Sequence, residues 1–552
     1  MSAHIATKTG RVAAGGSLLV GGIAGALVLA PQAGAATTYT VTNTADSGAG
    51  SLRQAIDDAN SNAGADIVVF DASATGTITL TTGHLEITDD VTITGLGTAA
   101  STISGNNTNR IFYIYNNAAS LTVSISGLTM TDGNGGKVGG GAIANWGNNL
   151  TLTSVVLTGN STTAEGGAVL SKTPLSGLGT TSSTEISDSE ISGNTAGTYG
   201  GGITLYKVGD VTIMNSSISG NQSSSEGGGL NGIDVGNIAI SDSTIQGNTG
   251  VQGGGGVYIY NAGDVTINST TFDQNTATQG DGGGLYATTT DSFTVTNSTV
   301  SGNQGADGAG FFLGYNGDVL IANSTFANNV GGSTGRGGAV FSWGSNGDTR
   351  IMFSTLSGNS TYYGTVSLKN IGQNAAEITG TVISDNTTVG GTGAQAVDLD
   401  FAGTGTATVT DSLVMGAVGG NAPIDGGGNI TGGVSAQLGA LADNGGATFT
   451  MEPATGSPVI DAGPLTWTAF AGDGSDQRGG LFLRVSNGQS DMGALEVQPE
   501  PVPPTTSTSS TSTSSTSSTS TTLAPNDTTT TVVPDDTTTT VGTDPMVPTF
   551  TG

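Results

Sequence analysis

Arg336, Asp348 and Arg350 are the one place in this 552-residue sequence where bases and an acid gather as an elimination site would need them. A basic side chain beside a carboxylate could take a proton from a sugar carbon, which is lyase chemistry. Nothing in their spacing demands it, and a solvated structural role is the plainer reading. Hydrolysis would instead need two carboxylates working as acid and base. Asp461, Asp476, Asp491 and Glu496, with Arg478 among them, are close enough in sequence to form a charge cluster. Its plainer reading is a salt-bridged cap closing the end of the fold. Asp210, Asp264 and Asp318 recur at one turn position and form a candidate calcium column. The intervening turns carry Asn237 and Ser292, and Asp is itself a common turn former. With no cysteine there is no thiolate nucleophile and no Cys-ligated metal. His84 is the only histidine beyond His4, so His-rich metal sites and a Ser-His-Asp triad are poor readings. No cofactor is expected, calcium being the one ion the Asp column suggests.

A second chemistry is stacking on sugars or on a partner's apolar surface. Strand side chains alternate between faces. Counting back from a recurring Gly-Asp turn aligns Ile203, Leu230, Val257, Leu285, Phe311 and Val340, which are taken as inward. Thr204, Asn231, Tyr258, Tyr286, Phe312 and Phe341 then point outward. A second outward column holds Tyr206, Tyr260 and Trp343, the last after a one-residue shift in a longer repeat. Aromatics are only 5% of the sequence, so their concentration on one side marks a candidate binding face. The competing reading places them in an internal stack.

These side chains are positioned by a repeat. Ser-Gly-Asn and its variants end at Asn160, Asn194, Asn221, Asn248, Asn275, Asn303, Asn329, Asn359 and Asn386, at spacings of 26 to 34 residues. A turn marker precedes each Asn by eleven residues, so that portion of every repeat has one geometry. Between markers lie short β-branched runs bounded by turn residues, without a helical period. Three short strands in about 27 residues make one coil of a right-handed parallel β-helix, stacked about 4.8 Å from the next. A propeller blade would need about 40 residues and fits worse. The Asn column is read as structural. Asn tolerates the left-handed turn, and stacked amides can bond along the axis. The fold class is therefore all-β, a pectin-lyase-like solenoid.

The ends differ from the middle. Residues 1–35 read as a secretory signal peptide, with Lys8 and Arg11 before the apolar run Leu18 to Ala30 and Ala33-Gly34-Ala35 at the cleavage site. Residues 36–130 form an N-terminal cap and first coils, 131–415 the regular repeats, 416–498 the last coils and a cap. Residues 499–552 are a Ser/Thr/Pro-rich stalk too poor in apolar residues to fold. Its final Val547 to Gly552 faintly resemble a sorting signal for cell-wall anchoring. Open strand edges demand caps. Ser51 can cap a helix whose Leu52, Ala55, Ile56 and Ala59 share one face.

That segment, GAGSLRQAIDDAN, resembles the CSLREA domain, with Gly50 in place of its Cys and Gln54 in place of its Glu. Four later motifs resemble the choice-of-anchor Q family: Leu441 to Gly446, Ser457 to Gly463, Asp476 to Gly479 and Asp491 to Glu496. Gly140–Ile143, Gly166–Val169, Gly337–Val340, Phe272–Asn275 and Phe326–Asn329 resemble polymorphic outer-membrane protein repeats. Together these imply a secreted or surface β-helix, mostly of unassigned activity.

The expected protein is thus a monomeric, secreted, non-catalytic adhesion protein, binding polysaccharide or a cell-surface partner through one side face. The rivals are a polysaccharide lyase or glycoside hydrolase and a passive spacer. Membrane contact is expected only through the uncleaved signal segment. The net charge of −30 disfavours nucleic acid.

Overall fold

The computed structural model describes residues 35–173, 182–369, 374–388 and 397–498. The expected leader up to residue 34 and the stalk from residue 499 lie outside them. The described chain winds into a right-handed parallel β-helix whose strands form sheets of 26, 14 and 9 strands. A representative coil runs Gln222–Ser223, Leu230–Val235, Ile238–Ser241 and Thr244–Gln246. The two longer strands, here called leading and following, share the large sheet. In two coils they fuse into single strands, Val257–Asn268 and Leu285–Thr296. The third strand builds the 14-stranded sheet. The two-residue strand is one more than the three expected per coil, because the residues after Ser-Gly-Asn pair as well.

Register is kept by inward apolar residues, and a one-residue slip would expose all of them. Ile203 pairs with Leu230, Leu230 with Val257, Val257 with Leu285, Leu285 with Phe311, and Phe311 with Val340. All six are buried in one core that runs from Val41 to Val414. The Gly-Gly ahead of each leading strand has a steric cause. A Cβ on Gly201, Gly228 or Gly255 would lie 2.2–2.4 Å from the carbonyl oxygen of the next coil.

The Asn column forms an amide ladder. Each Nδ2 donates to the Oδ1 of the following Asn at 2.9–3.2 Å, from Asn160 to Asn386. The preceding backbone carbonyl accepts as well, for example Ile191 O from Asn221. The left-handed conformation expected of Asn belongs instead to the residue before it: Gly220, Gly247, Gln274, Asn328 and Asp385 have φ between 53° and 61°. The Asn itself must point its amide into the stack.

Helix Leu52–Ser61 closes the first coil with Leu52, Ala55, Ile56 and Ala59 buried, and the Ser51 hydroxyl accepts from Gln54 N. The other end departs from expectation. The last coil, Ala417–Gly420, Ile424–Asp425 and Ile430–Thr431, leaves Val418 and Ile424 exposed. The segment after it does not cap this edge. It folds back as a strap along the outside of the 14-stranded sheet. Thr448 Oγ1 donates to Asn297 O, Thr325 Oγ1 to Gln477 Oε1, Asn323 Nδ2 to Ser475 O, Ala494 N to Thr355 Oγ1 and Gly493 N to Gly380 O. Phe353 seats it, with its ring 4.9 Å from Trp467 and 4.6 Å from the Arg484 guanidinium.

Candidate functional site: the outer face of the leading strands

The parity expected for the leading strands holds. Tyr258 pairs with Tyr286, Tyr286 with Phe312, and Phe312 with Phe341, each beside a buried inward neighbour. Their ring orientation, however, limits the expected stacking on sugars. Tyr258 and Tyr286 stack at 4.9 Å and 7°, and Tyr286 and Phe312 at 4.5 Å and 6°. Phe312 meets Phe341 edge-on at 5.2 Å. The ring faces are spent on one another, so a sugar meets only edges. Phe341 is 2% exposed and unavailable. Burial pushes the Tyr258 and Tyr286 hydroxyls up, helped by the Tyr286 phenol at Tyr258 and by the Asp281 carboxylate at Tyr286, so they stay neutral donors.

The second column is the accessible one. Tyr206 pairs with Ile233, Ile233 with Tyr260, Tyr260 with Thr288, Thr288 with Gly314, and Gly314 with Trp343. The extra residue of the longer repeat therefore sits in the turn after Trp343. Tyr260 is 47% exposed. Tyr206 is half-buried, its ring centroid 4.8 Å from Lys172 Nζ and 5.4 Å from Lys207 Nζ. Trp343 Nε1 donates to Tyr315 Oη at 3.1 Å, and Tyr315 is itself 53% exposed. Tyr315, Tyr362 and Tyr363 escaped the sequence reading because they lie in turns, where strand alternation gives no signal.

The expected group Arg336, Asp348 and Arg350 is not assembled. Arg336 precedes the leading strand and faces Asp307 at 3.8 Å and the Tyr363 ring at 5.8 Å. Asp348 opens the following strand, accepting from Ala375 N and donating its own N–H to Asp318. Arg350 lies within that strand, in register with Leu320 and Glu377. The intervening strand Val340–Trp343 puts the two arginines on different stretches of the coil. Arg336 instead lines a cavity of about 340 Å³ with Tyr363, Lys369 and Asp400. There Lys369 Nζ lies 2.5 Å from Asp400.

A column of acids missed by the sequence reading flanks the aromatic ladder on the turn before the leading strands. Asp307 N donates to Asp281 Oδ1 at 2.9 Å, and Arg336 N to Asp307 Oδ1 at 2.8 Å. Burial raises both carboxyls against these bonds, and Asp307 raises Asp281 further. Reading turns by position, as was done for Asp210, would have found them.

The calcium column has a different use. Asp210 Oδ1 accepts from Asn237 N, Asn237 Oδ1 from Asp264 N, and Asp318 Oδ1 from Asp348 N. These side chains cap the next coil's backbone, which also explains why Asn serves equally, while Asp264 Oδ1 accepts from the Ser292 hydroxyl. Among the described residues no three acidic or histidine side chains gather as a metal site. The five-residue charge cluster is likewise internal, but it lies in the strap and closes no coil. Arg478 pairs with Asp476 at 2.6 Å, whose Oδ2 accepts from Glu496 N. Asp491 N donates to Glu496, and Asp461 N to Asp491.

A family described as right handed beta helix region matches residues 176–351, about a third of the chain. Among solved structures, ORF18 of Geobacillus virus E2 aligns with TM-score 0.33 and 12% identity, over 67% of this chain and 60% of its own. The chain thus spans less than two thirds of that protein. Pectate lyase Pel9A aligns with TM-score 0.30 and 15% identity, over 84% of this chain and 97% of its own. No curated protein matches.

Proposed function

We propose that the protein is a secreted or surface-displayed binding protein that holds a polysaccharide along the outer edge of its leading strands. The carrying observation is the shared outward column of Tyr206, Tyr260 and Trp343, with Tyr260 and the neighbouring Tyr315 about half exposed. Polar-tipped aromatics two and three coils apart offer stacking and hydrogen bonding together. The signal-like residues 1–35, and the CSLREA-like and choice-of-anchor Q-like motifs, support export to the cell surface or wall. The protein acts as a monomer in this reading.

Retention of the full chain on a panel of insoluble polysaccharides tests it. Tyr260→Ala with Trp343→Ala should abolish retention, while Tyr286→Ala, whose faces are already occupied, should weaken it little. Equal retention of the double variant would overturn the reading.

One observation favours a second reading, glycoside hydrolysis. Asp281 and Asp307 are half-buried carboxyls on successive coils, both raised by burial, and Asp307 raises Asp281 further, which assigns Asp281 as the protonated acid and Asp307 as the ionised base. Release of reducing ends, lost in Asp281→Asn, would establish hydrolysis. No release from any glycan that is retained would leave binding alone.

A further inference from the structure

The strap reveals what the outer face of the 14-stranded sheet can hold. One outward position of that sheet reads, coil by coil, Ser217, Thr244, Thr271, Thr299, Thr325 and Thr355. From Thr299 onward this column is buried beneath the strap. Its hydroxyls bond to polypeptide there: Thr299 Oγ1 donates to Phe449 O, and Thr355 Oγ1 accepts from Ala494 N. Thr244 and Thr271 have the same side chain in the same register, yet they stay only partly buried and line open grooves.

The uncovered half is concave. A groove of about 560 Å³ begins where the strap ends, between Phe449 and Leu441 on one side and Thr244, Thr271 and Asp273 on the other. A second, of about 650 Å³, continues along the same face past Asp242, Asn215, Glu190 and Asp188. Thr244 lines both. Among the described residues neither groove is lined by Lys or Arg. Phe449 is exposed at the seam.

We infer that this open half is a docking groove for an extended, basic polypeptide segment of another protein. Continuity with the strap supplies the polypeptide: the hydroxyl column already binds backbone carbonyl and N–H groups. The acids supply the charge. A second copy of this chain, with net charge −30, is repelled by such a groove. Phe449 and Leu441 offer a seat for one apolar side chain beside the strap. The second groove alone runs five coil spacings, from Gly97 to Asp242, and at about 4.8 Å each these give a bed of about 24 Å, the length of about seven extended residues.

Fluorescence anisotropy on the full chain tests this at about 0.15 M salt. The probe is a labelled peptide of about twelve residues, long enough for that span, alternating Lys and Ser with one central Leu. Its counterpart has Glu for each Lys. The Lys peptide should bind, and the Glu peptide should not. Asp188→Lys with Asp242→Lys should weaken binding at least about tenfold. Thr244→Trp, which fills the groove without changing charge, should do the same. Tyr260→Ala should leave it unchanged, which separates this site from the polysaccharide face. Binding of neither peptide, equal binding of both, or indifference to both groove variants would overturn the proposal. So would displacement of the peptide by a polyamine sugar polymer, which would make the groove a surface for cationic glycans.

Discussion

Asn248 serves two coils at once. Its Oδ1 accepts from the Asn221 backbone and side chain, and its own Nδ2 donates to Asn275 and to Ile218 O. Asn248→Ala removes that acceptor and leaves buried donors on Asn221 without a partner. Each orphan costs about 1–3 kcal/mol, and the loss should appear as a lower thermal midpoint. Asn248→Asp keeps the acceptor but loses the donor to Asn275, so it should cost less only where the carboxylate is protonated. Glu496 gives a prediction in pH. Burial, with Asp491 beside it, pushes its carboxyl up to about 7, although Asp491 N and Ser486 donate to it. The folded group holds its proton more tightly than the unfolded one, whose value is near 4.5. Its contribution to the strap is therefore full below about pH 4.5 and lost as pH rises through about 7. Asp491, also raised by burial, acts in the same direction, with Arg484 opposing it. Amide exchange of residues 434–498 should be slower at pH 5.5 than at pH 8, beyond the intrinsic base catalysis, and Glu496→Gln should flatten the difference.

At the level of elements, two signals in the sequence had unequal reach. Alternation placed Tyr258 outward and Val257 inward correctly, because parity needs only the strand and its buried face. It could not give the ring torsions that turn Tyr258, Tyr286 and Phe312 against each other. Spacing placed Arg336 near Arg350 in sequence, but a coil carries such residues around a corner within a few positions. The strap was legible as a set of motifs and not as a position, since its segment lacks the repeat that fixes register elsewhere. Its anchor, Phe353, occupies a turn where other coils use Gly, Ser, Asn or Asp, and it does so at φ 44°. A bulky residue there is strained. Burial against Trp467, Phe470 and Arg484 offsets that strain. Phe353→Ala should keep the strain, lose the seat and cost about 3–5 kcal/mol, the range for a buried aromatic. Limited proteolysis should then cut within residues 440–490 while the coils stay intact.

The described solenoid is close to one-dimensional, since each coil touches mainly its neighbours. Removing residues 222–248, which is one complete 27-residue coil, joins Asn221 to Thr249 and brings Ser217–Ser219 against Thr271–Asp273 in the same register. That variant should fold with unchanged β-sheet circular dichroism and a modest drop in thermal midpoint. Removing about twenty residues from the same place should not, because every inward side chain would lose its match. The composition made this regularity readable from the start. Strand parity also named the side proposed for a polysaccharide, whereas the groove on the 14-stranded sheet followed only from geometry. The amide ladder also has a direction in time. Each Asn gives its N–H groups to the Asn of the coil that follows, and Asn386 gives its amide to Asp398. A chain emerging amino end first therefore always carries one coil waiting for the next to be made. Its growing tip stays adhesive until Asp398 emerges, so a pause in synthesis within the repeats leaves that tip open to any neighbouring chain halted at the same stage.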